Sequence, residues 1–131
     1  MKIRKALISD IKTIHKLVNE FARKGEMLPR PLNELYENLR DFYVAEENSE
    51  IKGMCALHIL WEDLAEIRSL AVKSEHQKKG IGSMLVKRSL QEAKRLGIKR
   101  VFVLTYLPEF FKRFGFKEID KSKLPQKIWG D

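Results

Sequence analysis

A glycine-containing segment carries the clearest chemical signal in this sequence. The stretch HQKKGIGSML, residues 76–85, places a glutamine, two lysines and two glycines directly before an amphipathic helical pattern. Gly80 and Gly82 permit positive φ angles, so we expect the backbone N–H groups of residues 78–83 to converge on one point. The helix N-terminus and the lysines favour negative charge at that point. The segment therefore predicts a site for an anion such as a phosphate or pyrophosphate.

Two other phosphate-binding motifs do not fit the same residues. A Walker loop requires a lysine after its last glycine, and none follows Gly82. A dinucleotide fingerprint requires a third glycine at the position that is Leu85 in this chain. The Gly-x-Gly pair is also compatible with an ordinary helix start, so the motif alone leaves both interpretations open.

The elements around this segment predict a mixed sheet with helices on both faces. Their order is not the regular alternation of strands and helices that gives a parallel sheet. The segment 99–106 is apolar enough to predict a buried strand rather than an edge strand. Periodicity and turn signals predict helices over 11–23, 32–39, 80–96 and 108–114, and strands over 2–6, 42–47, 51–60, 64–73, 99–106 and 115–119.

The length and composition predict one domain over residues 1–131 and exclude several partners. Lys and Arg number 26 against 18 Asp and Glu, a net charge of +8, yet the cations form no long run and do not interleave with aromatic residues. We therefore expect no nucleic-acid partner. No apolar run approaches the roughly 18 residues of a membrane helix, and the N-terminal residues do not form a signal peptide. We therefore expect no membrane partner.

The cysteine and histidine residues allow a prediction of the cellular compartment and of metal binding. Cys55 is the single cysteine and cannot form an internal disulfide, which favours a cytoplasmic protein. Its apolar neighbours predict a core residue rather than a nucleophile. The three histidines, His15, His58 and His76, lack metal-ligand spacing, so we expect no metal.

Two motifs together resemble the GNAT superfamily of N-acetyltransferases. Residues 77–82, QKKGIG, match its Gln/Arg-x-x-Gly-x-Gly/Ala motif, and FFKRFGF at 110–116 is similar to its Phe-Tyr-x-x-x-Gly-Phe segment. The resemblance runs from Ile3 to about Ile119. It implies an α/β (α+β) fold with a mixed, mostly antiparallel sheet of about six to seven strands, helices on both faces and a splayed central strand pair.

The resemblance implies acetyl-CoA as the cosubstrate. Its pyrophosphate is expected on the N–H groups of residues 78–83, and its pantetheine arm along the strand that contains Leu70. The Leu70 N–H is expected to stabilise the oxyanion that forms when an amine attacks the thioester. The implied cosubstrate-binding residues are Leu70, Ala71, Val72, Gln77, Lys78, Lys79, Gly80, Ile81, Gly82, Ser83, Phe110 and Phe111.

Proton transfer requires a base and is helped by an acid. The candidate base is Glu66, which strand alternation predicts on the same face as Arg68 and Leu70. The alternative role for Glu66 is an ion pair with Arg68. Phe111 occupies the position where many members of the superfamily carry a tyrosine acid. Tyr106 is therefore the candidate acid, and its alternative role is that of a packed, hydrogen-bonded aromatic residue.

A closer resemblance concerns the acceptor. The segments CALHILWEDLAEIRSLAV and LPQKIWGD are similar to the short, kinase-free N-acetylglutamate synthases of arginine biosynthesis. This implies the α-amine of L-glutamate as acceptor, and Arg68 and Arg30 are the candidates for binding its carboxylates.

The end of the sequence and two other functions complete these expectations. The chain stops at Asp131, before the superfamily's seventh strand, so we expect a missing C-terminal strand or a homodimer in which a second copy completes the sheet. Transfer to another amine, such as another amino acid, a polyamine or a protein N-terminus, remains an alternative. So does a non-catalytic acetyl-CoA-binding module.

Overall fold

A five-stranded sheet forms the centre of the computed structural model, which describes residues 1–119. The strands follow one another across the sheet in chain order. They are β1 (Lys2–Lys5), β2 (Phe42–Glu47), β3 (Glu50–Trp61), β4 (Leu64–Val72) and β5 (Arg100–Val103). The helices are α1 (Ile11–Arg23), α2 (Leu32–Glu37), α3 (Ile81–Arg95) and α4 (Pro108–Lys112).

The connections between strands explain the mixed sheet. β1 to β4 pair antiparallel, and β2 is joined to β3 by a two-residue turn in which Asn48 and Ser49 both have positive φ. That turn geometry matches the right-handed twist of a hairpin. β4 and β5 pair parallel, which requires a crossover, and α3 supplies it. The fold class expected from the sequence is confirmed.

Apolar residues divide the core between the two faces of the sheet. α1 and α2 cover one face, where Ile14 and Val18 pack with Val44 and Met54 in one buried cluster. α3 covers the other face with residues 81, 85, 86 and 93, which recur at helical spacing. The sheet therefore separates an α1/α2 face from an α3 face.

Three expectations about the C-terminal third are wrong within the described residues. Residues 1–119 contribute five strands to the sheet rather than six to seven, and residues 115–119 do not form a strand. They follow a turn at Gly115, and Phe116 packs its ring edge-on against Phe111 instead of joining a ladder. β5 stops at Val103 instead of continuing to residue 106, and it is the last strand of the described sheet instead of an interior one. The expected missing strand and the segment LPQKIWGD fall outside residues 1–119.

None of the helices in residues 1–119 has the length and apolar character needed to cross a bilayer.

Candidate active site

β4 and β5 separate halfway along β4. Their pairing runs from Leu64 opposite Arg100 to Ile67 opposite Val103. β5 ends there, whereas β4 continues for five more residues to Val72. Residues 68–72 therefore keep one edge without a neighbouring strand in the described part of the chain. The splayed strand pair expected from the sequence is confirmed.

A bulge at Ser69 changes the direction of the side chains along this free edge. Arg68 lies opposite Ala56, but Ala71 lies opposite Met54, so β4 uses one residue more than β3 between these two positions. Ser69 takes the extra step with a φ of 54°. A bulge of this kind bends the strand and redirects the side chains of the later residues.

The bulge overturns one expectation about faces. Glu66 and Arg68 share the α1/α2 face, as predicted, and their side chains are in contact. Leu70 does not share it, because its side chain joins the cluster on the α3 face together with Val72. Simple alternation fails here because Ser69 breaks the two-residue period.

The segment after β4 forms an open row of hydrogen-bond donors. Lys78 and Gly80 adopt positive φ angles of 65° and 83°. Gly82 lies inside α3 without a positive φ, so that part of the prediction is wrong. No backbone N–H of residues 78–83 donates to an acceptor within residues 1–119. The row therefore suits a ligand with several acceptor oxygens.

Side chains around the row fix its position. Gln77 Nε2 donates to the Val72 carbonyl at 3.0 Å and ties the loop to the end of β4. Phe110 stands close to Gly82, since a Cβ added there would lie 3.5 Å from the ring. Phe111 is buried, and the two rings meet edge-on at 5.0 Å. The side chains of Lys78 and Lys79 are exposed, where they can reach an anion.

Gly53 is a site-supporting residue that the sequence reasoning missed. It pairs with Val72 across the β3–β4 ladder. A Cβ at this position would lie 2.9 Å from the Ala71 carbonyl oxygen and 3.3 Å from a methyl group of Ile81. The absence of a side chain thus allows β3 to approach both the end of β4 and the start of α3 closely. A lone glycine inside an apolar strand was the available signal.

The α1/α2 face carries the charged residues expected to handle the acceptor. Glu66 is only 8% exposed, and its Oε1 accepts a hydrogen bond from Arg68 Nε at 2.7 Å. The structure brings Arg68 and Arg30 to the wall of one small cavity of about 20 Å³. Arg30 also donates to Glu34 Oε1 at 3.0 Å. Arg30 is therefore held by a carboxylate that a substrate carboxylate could replace, whereas Arg68 contacts Glu66 through Nε.

Asp41 and His58 form a second pair on this face that the sequence reasoning missed. His58 Nδ1 lies 2.6 Å from Asp41 Oδ2. His58 is directly opposite Glu66 in the β3–β4 ladder, and Asp41 lines the same cavity as Arg68. Asp41 and His58 lie 17 residues apart in different elements. The only signal in the sequence was that His58 lies in an otherwise apolar strand, which suggested its face of the sheet but not its partner.

Tyr106 lies beyond the end of β5 and is 82% exposed. The alternative role, that of a packed aromatic residue, is therefore wrong. Thr105 caps the same turn, because its hydroxyl oxygen accepts a hydrogen bond from the Leu107 N–H at 2.8 Å. The role of Tyr106 as an acid stays a prediction.

Cys55 is the core residue that the sequence predicts. It is fully buried, and the Ser89 hydroxyl donates to its sulfur at 3.5 Å. Burial raises the pKa of the Cys55 thiol to about 12. At neutral pH the thiol is therefore protonated and enclosed, which excludes it as the nucleophile of a covalent mechanism.

Two further features of the described residues carry no assignment. Glu50, Glu75 and His76 bring three potential metal ligands within 4.8 Å of one another. Hydrogen bonds from Lys52 and Lys73 hold the pKa of Glu50 below its ordinary value. The two lysines therefore already balance the negative charge that this carboxylate would offer to a metal ion. A larger cavity of about 750 Å³ follows the outer edge of β5 and borders Ile119, the last described residue. We assign no ligand to either.

Comparison with known proteins agrees with this geometry. The profile of the acetyltransferase (GNAT) family matches residues 9–116. An amino-acid acetyltransferase of Mycobacterium tuberculosis is 41% identical over 132 residues, which cover 98% of this chain and 75% of the relative.

Two solved structures share the fold and are 41% and 29% identical in sequence. A Mycobacterium tuberculosis protein in complex with CoA and a further ligand superposes with a TM-score of 0.91 at 41% identity, covering 99% of this chain and 80% of the other. N-acetylglutamate synthase from Neisseria gonorrhoeae, complexed with coenzyme A and N-acetyl-glutamate, superposes with a TM-score of 0.92 at 29% identity. That match covers 97% of this chain but only 30% of the synthase.

Proposed function

Because the chain belongs to the acetyltransferase (GNAT) family, we propose that it transfers the acetyl group of acetyl-CoA to the α-amine of L-glutamate. One observation carries the proposal: the free edge of β4 at residues 68–72 is followed, after the one-turn 3₁₀ helix Ser74–His76, by the row of N–H donors at 78–83, which have no acceptor within residues 1–119. An elongated cosubstrate with amide groups at one end and a pyrophosphate at the other fits both parts of this track.

The donor would lie along the track as an added strand. The pyrophosphate accepts hydrogen bonds from the N–H groups of residues 78–83, and Lys78 and Lys79 add positive charge. The pantetheine amides pair with backbone groups of Leu70 and Val72, which face the same edge because they are two residues apart. Ala71 lies between them, and Phe110 and Phe111 close the loop from the side of α4.

The Leu70 N–H would stabilise the transition state. Attack of an amine on the thioester places negative charge on the carbonyl oxygen, and a fixed N–H at that point stabilises the charge without rearranging. The bulge at Ser69 supports this role, because it turns Leu70 out of the regular ladder next to the gap left by β5.

Glu66 would accept the proton that the amine must lose. An amino-acid ammonium group is mostly protonated at neutral pH and cannot attack until it gives up a proton. Glu66 is buried close to the bulge, and Arg68 holds its carboxylate in place. The departing CoA thiolate needs little help, because thiols ionise near pH 8.5, and Tyr106 is the proposed donor of its proton.

Arg68 and Arg30 would bind the carboxylates of the acceptor. A guanidinium group grips a carboxylate through two parallel hydrogen bonds. The cavity between these arginines is too small for an amino acid, so Glu34 has to release Arg30 when the substrate enters. The relative named an amino-acid acetyltransferase and the synthase complexed with N-acetyl-glutamate support this choice of acceptor.

The test is a panel of amines assayed with acetyl-CoA by release of free thiol. The panel contains L-glutamate, other amino acids, a polyamine and a peptide with a free N-terminus. We expect transfer to L-glutamate with the highest kcat/KM of the panel. Higher activity with another amine would overturn the glutamate assignment, and no transfer at all together with tight acetyl-CoA binding would point to a non-catalytic module.

Substitution of Arg68 tests the proposed carboxylate contact within the same assay. Losing a hydrogen-bonding partner of a charged group costs about 1.5–3 kcal/mol, so Arg68→Leu should raise the KM for L-glutamate roughly ten- to hundredfold. Arg68→Lys should have a smaller effect, and both variants should bind acetyl-CoA normally.

The predicted homodimer and cytoplasmic location stay predictions.

A further inference from the structure

The proposed reaction releases a proton that has to reach solvent. The ammonium group of the acceptor loses two protons when it becomes an amide, and in the net reaction one of them replaces the proton that Tyr106 gives to the departing CoA thiolate. One proton per turnover therefore leaves the site. Glu66, the proposed base, is only 8% exposed, so a proton on its carboxyl group needs a neighbour that connects it to water.

His58 is the titratable side chain placed to be that neighbour. It stands directly opposite Glu66 in the β3–β4 ladder, on the same face of the sheet. Opposed residues of an antiparallel pair have Cβ atoms about 4.5–5.5 Å apart, and since the two side chains make no direct hydrogen bond, one bridging water would connect them. The His58 side chain is 24% exposed and therefore reaches solvent, whereas that of Glu66 is 10% exposed.

Asp41 gives the His58 ring a defined orientation. Its Oδ2 lies 2.6 Å from His58 Nδ1, which is within hydrogen-bonding distance. With Asp41 ionised, Nδ1 carries the hydrogen of the neutral ring and Nε2 keeps its lone pair.

We propose that His58, oriented by Asp41, carries the proton from Glu66 to solvent in each catalytic cycle. This inference rests on the proposed function. The bridging water takes the proton as the O–H bond of protonated Glu66 breaks, and it gives one of its own protons to His58 Nε2, which regenerates the Glu66 carboxylate. The imidazolium then gives the proton from Nε2 to bulk water, and the neutral ring is restored. His58 thus acts through Glu66 and does not touch the acceptor.

The competing explanation is structural. Asp41 belongs to the one-turn 3₁₀ helix Leu39–Asp41 that leads into β2, and its contact with His58 ties this turn to β3. A purely structural pair would affect the melting temperature and the KM values. It would give no reason for kcat to respond to an added proton carrier.

The experiment measures kcat of His58→Ala in a weakly buffering medium, with and without imidazole, using the best acceptor of the amine panel. We expect kcat to fall roughly 10- to 100-fold with nearly unchanged KM values, since proton transfer by a positioned group is worth at least this much. Imidazole should restore kcat several-fold in the variant and leave the parent unchanged. A blank without acceptor corrects for direct reaction of imidazole with acetyl-CoA.

Two further variants complete the design. Asp41→Asn should lower kcat less than His58→Ala does, because the ring remains but loses its orientation. His15→Ala in α1 is the matched control and should keep the parent kcat with or without imidazole. Retention of the acetyl-CoA-dependent rise in melting temperature shows that a variant is folded.

The outcomes separate this inference from the proposed function. An active parent with a His58→Ala variant of equal kcat, or a slow variant that imidazole does not restore, overturns the role of His58 alone. A parent that transfers acetyl groups to no amine of the panel overturns the proposed function and this inference with it.

Discussion

Glu66 has two possible roles, and a single substitution can separate them. The carboxylate accepts a hydrogen bond from Arg68, and it is also the proposed base. Glu66→Gln keeps the shape and one oxygen acceptor but cannot take up the proton. We expect the transfer rate to fall roughly 10²–10⁴-fold, with a small change in melting temperature.

Asp63→Asn is the matched control for that substitution. Asp63 pairs with Arg100 on the exposed surface near the β3–β4 turn, so its charge can be removed without entering the site. It should retain the parent rate. A Glu66→Gln variant as fast as Asp63→Asn would return Glu66 to the role of an ion-pair partner.

Asp10 gives the fold a predictable response to acid. Its carboxylate accepts hydrogen bonds from Arg4 at 2.8 Å and from the Leu7 N–H at 2.7 Å, and it is nearly buried. The hydrogen bonds from Arg4 hold the pKa of Asp10 below its ordinary value. A carboxyl group with a lowered pKa stabilises the folded state above the unfolded value of about 3.9, and this contribution disappears as pH falls through the folded-state pKa.

Asp10→Asn therefore should lower the melting temperature at pH 7 and flatten its decline in acid. Melting curves of parent and variant between pH 7 and about pH 3 test this, and the two should converge at the acid end. Glu50 and Glu92, whose pKa values are also lowered by cationic neighbours, remain in both proteins, so the difference between the curves belongs to Asp10. Parallel curves would assign the acid response to other groups.

At the scale of elements, the bulge in β4 depends on a residue that tolerates a left-handed backbone. Ser69 holds a φ of 54°, a conformation that costs a non-glycine residue about 1–3 kcal/mol. Ser69→Gly should keep the bulge and kcat and should not lower the melting temperature. Ser69→Val should lower the melting temperature and kcat together, because a β-branched residue resists this conformation. Equal activity of the two variants would show that Leu70 does not depend on the bulge.

The loop between β4 and α3 predicts a selective effect on acetyl-CoA binding. A Cβ at Gly82 meets only ordinary contacts, so Gly82→Ala should fold normally. Gly82→Val adds two methyl groups between Phe110 and the row of N–H donors, where the pyrophosphate is expected. Acetyl-CoA should raise the melting temperature of the parent and of Gly82→Ala but not of Gly82→Val. A full rise in Gly82→Val would contradict the placement of the pyrophosphate.

The elements show where sequence reasoning succeeds and where it fails. Helix α1 was predicted at its observed limits, because its apolar period and the glycine after it are local signals. The face of Leu70 was predicted wrongly, because the bulge accompanies the separation of β4 and β5 and leaves no mark on the alternation of residues. The strand over 115–119 was wrong for a similar reason: the ring of Phe116 finds a partner on Phe111 rather than on a strand.

The residues of the candidate site likewise divide into those that the sequence predicts and those that it does not. The glycine segment and the pair Glu66 and Arg68 could be found in the sequence, because each is a short motif within one element or one loop. The contact between Asp41 and His58 could not, since its partners come from different elements and meet only when the sheet forms.

At the scale of the whole molecule, the sheet separates the two proposed substrate sites. The row of N–H donors opens at the end of β4 beside α3, whereas Arg30, Asp41 and Arg68 lie on the α1/α2 face. The proposed donor and acceptor can meet only where β5 has left β4, at residues 68–72. Chemistry at this point requires both layers of the fold to be in place at once.

The burial of Cys55 makes the single thiol of the chain a reporter of unfolding. In the folded state this thiol is enclosed and protonated at neutral pH. A colorimetric thiol reagent added to the amine assay should therefore register only the CoA produced, with no background from intact enzyme. Left with enzyme alone, the same reagent should react at the rate at which the core opens, and one equivalent should appear per chain. Rapid labelling of the native protein would contradict the burial of this thiol. If labelling is slow and acetyl-CoA slows it further, its rate measures how strongly ligand binding restrains opening of the core.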